Sequence, residues 1–386
     1  MIVAMVSRTL PAKCGIAEYT SMLGSAPREF SELELVFLGN REEKEGLAKR
    51  YIEPYSGIET WICFSRNGAL DGIVNCVKDL IRERDVNIVH IQHEYDIFPD
   101  NRMFLSLLTK LRELGIKIVV TMHTVVHALK GHEYVELQRK VGELAHAIVV
   151  HSILQEYELI MQGVDPGKIH RIPHGTLINP FIGRSRSELL KTLGINETIN
   201  DTSILITTPG FIRSDKGLAL LLKAFSEVRK RYNATLVLIG TPQHDGKRYL
   251  TELLSDLHSL KDVVFVNRFL NREELLRLLA AVDIAVFPYR DELHLGVSGA
   301  FHMAIGSRKA VVCTKAPRLI ECYEYAPELT VQRLDAHDIA KKIEMVIENP
   351  KIANEAVERL WKYALNTNWH NIARLHRKLY YEVLEL

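Results

Sequence analysis

The stretch Val286-Phe-Pro-Tyr-Arg-Asp-Glu-Leu-His-Leu-Gly-Val-Ser-Gly-Ala-Phe-His-Met-Ala-Ile-Gly-Ser-Arg-Lys-Ala-Val-Val-Cys-Thr314 decides the fold class. An apolar run, Ile284 to Pro288, leads into a loop that holds Gly296, Val297, Ser298 and Gly299. A helix-like segment from about Ala300 to Ile305 follows, and Gly306 closes it ahead of a second apolar run, Ala310 to Cys313. Strand, glycine loop, helix, glycine and strand make one βαβ unit. Its loop falls at the carboxyl end of a strand and the amino end of a helix, where free N–H groups and the helix dipole suit a phosphate. An ordinary βα turn accounts for the same residues without a ligand.

The same rhythm runs through the chain on both sides. Upstream, Ser203–Thr208, Leu236–Ile239 and Val263–Val266 read as strands, separated by helices over Leu218–Tyr232, Tyr249–Leu257 and Arg272–Ala281. Downstream, Ala336–Ile347 and Asn354–Leu365 read as helices. The first half has strands at Met1–Val6, Leu33–Leu38, Asn87–Gln92, Ile116–Met122 and Ala147–Val150. Between them, Ala69–Glu83 places Leu70, Ile73, Val74, Val77, Leu80 and Ile81 on one helical face. Strands apolar on both faces and separated by helices indicate parallel sheets covered on two sides. The rhythm breaks around Ile172-Pro173-His174-Gly175, where a Pro-, Gly- and Ser-rich loop begins. This predicts two doubly wound domains, 1–180 and 181–366, then a terminal segment 367–386.

Length supports two cores, since 386 residues exceed one. Hydrophobic residues at 47% and charged residues at 25% are those of a globular protein, and a net charge of +1 gives no sign of a nucleic-acid partner. No run approaches the roughly 18 apolar residues of a membrane span. The amino terminus reads as a strand rather than a leader. Five cysteines (14, 63, 76, 313 and 322) without metal or redox spacing predict reduced thiols and a cytoplasmic protein.

Three further motifs carry chemistry. Cys14-Gly-Ile-Ala-Glu-Tyr-Thr20 follows the first strand, and Gly15 would let a ligand approach the backbone or simply cap a turn. His90-Ile-Gln-His-Glu94 and Thr121-Met-His-Thr124 place polar groups at the ends of two strands. His90, His93 and Glu94 could contact a substrate, though holding the loops together serves equally well. No carboxylate or cysteine set completes a metal site around these histidines. Gly210-Phe-Ile-Arg-Ser-Asp-Lys-Gly217 lies between a strand and a helix. A cation in a first helical turn opposes the dipole, which points to an anion nearby; a solvated basic helix start is the alternative.

Taken together, these segments resemble a retaining glycosyltransferase of the GT-B architecture, most like family 4. The resemblance covers nearly the whole chain and implies two Rossmann-like domains facing a central cleft. It implies that the Gly15 loop lies near the donor diphosphate and that His123 contacts the donor sugar. It also implies that Lys216 or Arg213 neutralises the leaving diphosphate. Lys216 and Gly217 match the family pattern, but Phe211 occupies the usual arginine place. Gly210, Gly296, Val297, Ser298 and Gly299 would line the donor, with the Ser298 hydroxyl and nearby N–H groups on the diphosphate. Family members carry two glutamates eight residues apart; Phe301 stands at the second and Leu293 at the first, with Glu292 adjacent and able to substitute. In the family the last helix, here within Asn368–Glu382, crosses back to the first domain; a plain terminal helix of the second domain is the alternative.

The implied reaction moves a sugar from a nucleotide diphosphate sugar to an acceptor hydroxyl with retention. It needs no resident cofactor or divalent metal, and the leaving phosphate serves as base in the absence of a recognisable nucleophile. The rival readings are a nucleotide-sugar epimerase of the same fold and a non-catalytic nucleotide- or partner-binding module. A dinucleotide oxidoreductase is disfavoured, because no G-x-G-x-x-G follows the first strand. Acceptor choice (glycan, lipid or small molecule) would rest with loops near 14–20, 40–60 and 93–103, which carry no motif. A weak peripheral contact with the inner face of a membrane is compatible with a lipid acceptor. Oligomeric state has no signature in the sequence.

Overall fold

A computed structural model describes residues 1–26, 32–41, 49–65, 68–195, 199, 202–243, 245–290 and 293–386. Along the first half run β1 (Ile2–Ser7), α1 (Gly15–Ser25), β2 (Glu34–Asn40), β3 (Arg50–Ile52), β4 (Glu59–Phe64) and α2 (Asp71–Arg84). β5 (Ile88–His93), α3 (Asn101–Glu113), β6 (Lys117–Met122), β7 (Thr124–Val126), α4 (His132–Leu144), β8 (Ala147–Val150), α5 (Ile153–Met161) and β9 (Ile169–Arg171) complete it. The second half begins with α6 (Arg186–Leu193), β10 (Ile204–Thr207), α7 (Leu218–Val228), β11 (Ala234–Gly240), α8 (Gly246–Ser259), β12 (Val263–Asn267) and α9 (Arg272–Ala281). It continues with β13 (Ile284–Phe287), β14 (His294–Gly296), α10 (Gly299–Ile305), β15 (Ala310–Cys313), α11 (Ile320–Tyr325), α12 (Ala336–Glu348), α13 (Pro350–Asn366) and α14 (Trp369–Glu385).

Apart from β7 and β14, which pair as a separate two-stranded ribbon, these strands form two sheets. One has the strand order β3-β4-β2-β1-β5-β6-β8-β9 and is parallel except at the β3 edge. The other has the order β12-β11-β10-β13-β15 and is parallel throughout. β5, β8, β11 and β13 are buried at every residue. That is why β8 and β13 are continuously apolar rather than alternating, while β5 buries His90, Gln92 and His93 toward its carboxyl end. In both sheets the central strand connects to opposite sides: β1 to β2 and β5, β10 to β11 and β13. The crevice at such a reversal is where ligands of open α/β sheets bind.

The chain divides into two compact units. The first is Met1–Gly175 with Leu293–Val297 and Trp369–Leu386; the second is Thr176–Glu292 with Ser298–Asn368. The five residues Leu293–Val297, read from sequence as part of a second-domain loop, contain β14, which pairs antiparallel with β7. α14 belongs to the first unit and packs on α1, where the Tyr19 and Trp369 rings stand 5.0 Å apart. Gly175 permits this, because a Cβ there would fall 2.3 Å from the Trp369 indole.

The cysteine expectation needs correction. Cys63 and Cys76 form a disulfide, while Cys14, Cys313 and Cys322 are free. Their pairing depends on how closely α2 lies against β4. A Cβ on Gly72 would sit 1.9 Å from the Cys63 carbonyl oxygen, so glycine lets the helix approach until the two Cα atoms are 6.2 Å apart. Among the described residues, no helix is long and apolar enough to cross a membrane.

Candidate functional site

In the first unit, candidate groups gather at the β1/β5 reversal. Gly15 opens α1; it is exposed, its φ is not in the left-handed region, and a Cβ there would meet nothing within 4 Å. Nothing in the surrounding protein requires a glycine at this place. Glu94 follows β5 and braces the neighbouring strand end. One carboxylate oxygen accepts the Tyr95 amide at 3.0 Å, and the other accepts the Thr124 hydroxyl at 2.8 Å.

His123 lies just beyond β6, 7% exposed. Its amide donates to the His93 carbonyl at 3.1 Å. The Gln92 amide lies 2.9 Å from its Nε2, and Nε2 of His151 lies 3.4 Å from its Nδ1. Burial, helped by the charges of His151, His174, His90 and His93, pushes its pKa well below the ordinary value, so the ring is neutral. The Tyr19 ring centroid is 4.6 Å from His123, 5.4 Å from His151 and 5.2 Å from His174. Burial raises the Tyr19 phenol as well, and its hydroxyl has no hydrogen-bond partner among the described residues.

Gln155 ties these strand ends together. Its amide nitrogen donates to the carbonyls of Met122 at 3.0 Å and His123 at 3.3 Å. Its oxygen accepts the amides of His151 at 2.9 Å and Ser152 at 3.1 Å. The latter bond is half of a capping box that starts α5.

The other two histidines of the motif are fully buried. His90 is within 2.7 Å of the Tyr380 hydroxyl through Nδ1 and of the Thr121 hydroxyl through Nε2. His93 sits among the rings of Phe104, Tyr95 and Phe98, at 4.5, 5.1 and 5.9 Å. Burial holds its pKa at about 3. With no exposed atoms, neither side chain can touch an acceptor in this arrangement, so the structure corrects that expectation toward a packing and bracing role. Among the described residues, no three His, Cys, Asp or Glu side chains come together as metal ligands.

In the second unit the groups gather at the β10/β13 reversal. Gly210 has φ +121°, and Gly217 has φ +65° with the Pro288 carbonyl oxygen 1.9 Å from where its Cβ would be. Only glycine meets both demands at 217. Between them, Ser214–Lys216 form a single tight turn. Lys216 Nζ stands 3.7 Å over the centroid of the buried Tyr289 ring. Arg213 grips Asp215 with two bonds, Nε to Oδ1 at 2.8 Å and Nη2 to Oδ2 at 2.6 Å. Burial pushes the Asp215 carboxyl up, but those bonds and the charges of Lys216, Arg213 and Arg318 outweigh it and hold the group below its ordinary range. Three cations thus act on this one carboxylate.

Ser298 caps α10, its hydroxyl accepting the Phe301 amide at 3.3 Å and lying 3.0 Å from the Tyr289 hydroxyl. Its own amide donates to the Arg318 carbonyl at 3.1 Å. The expected phosphate contacts of Ser298 are therefore committed inside the protein, leaving Gly299 beside it as the first residue of the helix. Gly296 lies opposite Thr124 in the β7–β14 ribbon, with Val297 just beyond it. Glu292 lies outside the described residues. Phe301 is fully buried against Phe287 and His302, so its ring fills the core of this unit. The Phe211 ring stacks on Phe269, 5.8 Å away.

Tyr19, His151, Gln155, Tyr289 and Arg318 are the members that reading the sequence missed. Ser152-x-x-Gln155 was legible as a capping box. Arg318 had no local signal.

Two family descriptions match the chain, one in each half: "Glycosyltransferase Family 4" over residues 39–176 and "Glycosyl transferases group 1" over 203–349. A relative described as MMP alpha-(1->4)-mannosyltransferase, from Mycolicibacterium hassiacum, is 23% identical over 249 residues, or 59% of this chain and 55% of its own. A glycosyltransferase of Methanocaldococcus jannaschii is 27% identical over 256 residues, 63% of this chain and 62% of its own. The matched region thus spans less than two thirds of either relative. In fold, the chain is similar to Anabaena HepE, crystallised in complex with UDP, with a TM-score of 0.75, 13% identity and full coverage of both chains. The chain belongs to the group 1, family 4-like glycosyltransferases of GT-B fold.

Proposed function

We propose that this protein transfers a sugar from a nucleotide diphosphate sugar to an acceptor hydroxyl, with retention of configuration and without a divalent metal. The observation that carries the reading is the set of cations Lys216, Arg213 and Arg318, which all act on Asp215 beside a sheet reversal. A leaving diphosphate needs stabilisation where its charge develops, and fixed cations and helix-start N–H groups supply it without reorganisation. Asp215 holds Arg213 in place, while Lys216 rests on an aromatic face, so Lys216 is assigned the first contact with the diphosphate. Gly210 and Gly299, the latter the first residue of α10, are assigned to the diphosphate through their backbone N–H groups, and Gly15 is assigned to the donor as well.

His123 is assigned to placing the donor sugar rather than to moving a proton, since its ring is neutral and both nitrogens face partners. The proton of the acceptor hydroxyl then goes to the leaving phosphate. The donor base is proposed to be uracil, in keeping with the UDP complex of HepE.

The test is a thermal-shift panel with UDP, GDP, ADP and their sugar conjugates, with and without EDTA, on wild type and Lys216→Ala. A ligand that binds only the folded state raises the midpoint by mass action. UDP and UDP-sugars should shift the wild type equally with EDTA present. Lys216→Ala should bind about tenfold to a hundredfold more weakly, the worth of one charged hydrogen bond. No shift with any nucleotide at millimolar concentration would overturn the reading in favour of a partner-binding module. Turnover of UDP-sugar to an isomer without acceptor would instead mark an epimerase.

A further inference from the structure

The side chains around His123 form a continuous row, and the backbone carbonyl at one end of it sets the direction of the hydrogen bonds along it. At one end, Nδ1 of His151 lies 2.9 Å from the Ile172 carbonyl oxygen. A carbonyl only accepts, so His151 carries its proton on Nδ1 and presents a bare Nε2 to Nδ1 of His123. At the other end, the Tyr380 hydroxyl of α14 lies 2.7 Å from Nδ1 of His90, and Nε2 of His90 lies 2.7 Å from the Thr121 hydroxyl. Gln92 joins the two ends. As placed, its amide oxygen faces Nε2 of His123 at 2.9 Å and its nitrogen faces Nε2 of His90 at 3.2 Å.

An oxygen facing His123 requires the proton of that ring on Nε2. Nδ1 of His123 is then bare and faces the bare Nε2 of His151, two lone pairs 3.4 Å apart that repel each other. Turning the Gln92 amide over, which preserves its shape, removes the conflict. The amide nitrogen then donates to Nε2 of His123, and Nδ1–H of His123 donates to His151. Nε2–H of His90 donates to Thr121 and the Gln92 oxygen, and the Tyr380 hydroxyl donates to Nδ1 of His90. Each link from Tyr380 to the Ile172 carbonyl then has one donor and one acceptor.

We propose that Gln92, His90, His151 and Tyr380 are positioning residues for His123, holding it as the Nδ1–H tautomer through a one-way chain of hydrogen bonds from α14 to the Ile172 carbonyl. The functional consequence rests on the assignment of His123 to the donor site: neither of its ring nitrogens is left to exchange a proton with substrate, and a helix far away in sequence sets its orientation.

The tautomer is read directly by NMR. In the full chain labelled with 15N-histidine, long-range proton–nitrogen correlations distinguish protonated from bare ring nitrogens, and a His123→Gln variant assigns the signals. The wild type should show His123 protonated on Nδ1 and bare on Nε2, and His90 the reverse. A wild-type His123 protonated on Nε2 overturns the chain. Gln92→Glu replaces the donor by a carboxylate that only accepts, and should move a proton onto Nε2 of His123. Should that variant not fold, Tyr380→Phe removes only a hydroxyl. It should release the His90 proton to both nitrogens and mix the His123 tautomers, whereas unchanged spectra in Tyr380→Phe overturn the chain. UDP-sugar affinity is measured in parallel on whichever variant folds. A shifted tautomer with affinity weakened several-fold supports both assignments. A shifted tautomer with unchanged affinity keeps the chain and overturns the donor role of His123.

Discussion

Two glycines near the proposed diphosphate are there for opposite reasons. Gly217 is demanded by the fold, through a positive φ and the Pro288 carbonyl. Gly15 is not, since its surroundings are open and its backbone is ordinary. The role proposed for Gly15 is to let the donor approach its backbone. Gly15→Ala should therefore leave folding stability unchanged or raise it by roughly 0.5–1 kcal/mol, because alanine suits a helix better. The same change should weaken UDP-sugar binding about tenfold. Denaturant titration and calorimetry separate the two quantities, and unchanged affinity would move the donor away from α1.

At the scale of the element, α14 is packed closely at its first residue, where Trp369 meets Gly175. Trp369 lies over Gly175, against Tyr19 at 5.0 Å and His174 at 5.7 Å. Gly175→Ala forces a methyl group into the indole and should cost about 1–3 kcal/mol, the range for overpacking. Trp369→Leu makes room for it. The double variant should be more stable than the sum of the two single changes predicts, a coupling that chemical denaturation measures. Strict additivity would mean that Trp369 does not rest on Gly175. The same helix carries Tyr380, so the element that closes the chain in sequence also orients the strand-end histidines.

Across the whole molecule, buried neutral histidines tie stability to pH. Burial, aided by the charges of His376 and His151, lowers the pKa of His90; burial also lowers His93 to about 3 and His376 to about 4. In the unfolded chain each titrates near 6.5. Below that value the unfolded state binds protons that the folded state refuses, so stability is fully present above about pH 6.5 and is lost as pH falls toward the folded values. Each such group contributes about 1.4 kcal/mol per pH unit through the window. Urea midpoints measured from pH 8 to pH 5 should be flat at first and then fall steeply, with the slope m unchanged. A flat profile down to pH 5 would show that these rings are already charged or exposed in the native state.

The sequence by itself determined the two doubly wound sheets, the glycine turn before α7 and the break near residue 175. Those features are written in local pattern: strands buried on both faces are largely apolar, helices repeat their apolar stripe, and a left-handed turn favours glycine. His123 and Lys216 could be proposed from sequence because each follows a strand or precedes a helix. The tertiary structure decided what depends on distant partners. It placed Leu293–Val297 against β7, paired Cys63 with Cys76, and turned Phe301 into the core. It added Arg318 to the cations and buried His93 among aromatic rings. It also set His90 against Tyr380, 290 residues away. No periodicity records such a pair, because the bond is made only after both elements have packed, and the sequence between them places no constraint on which polar groups will meet.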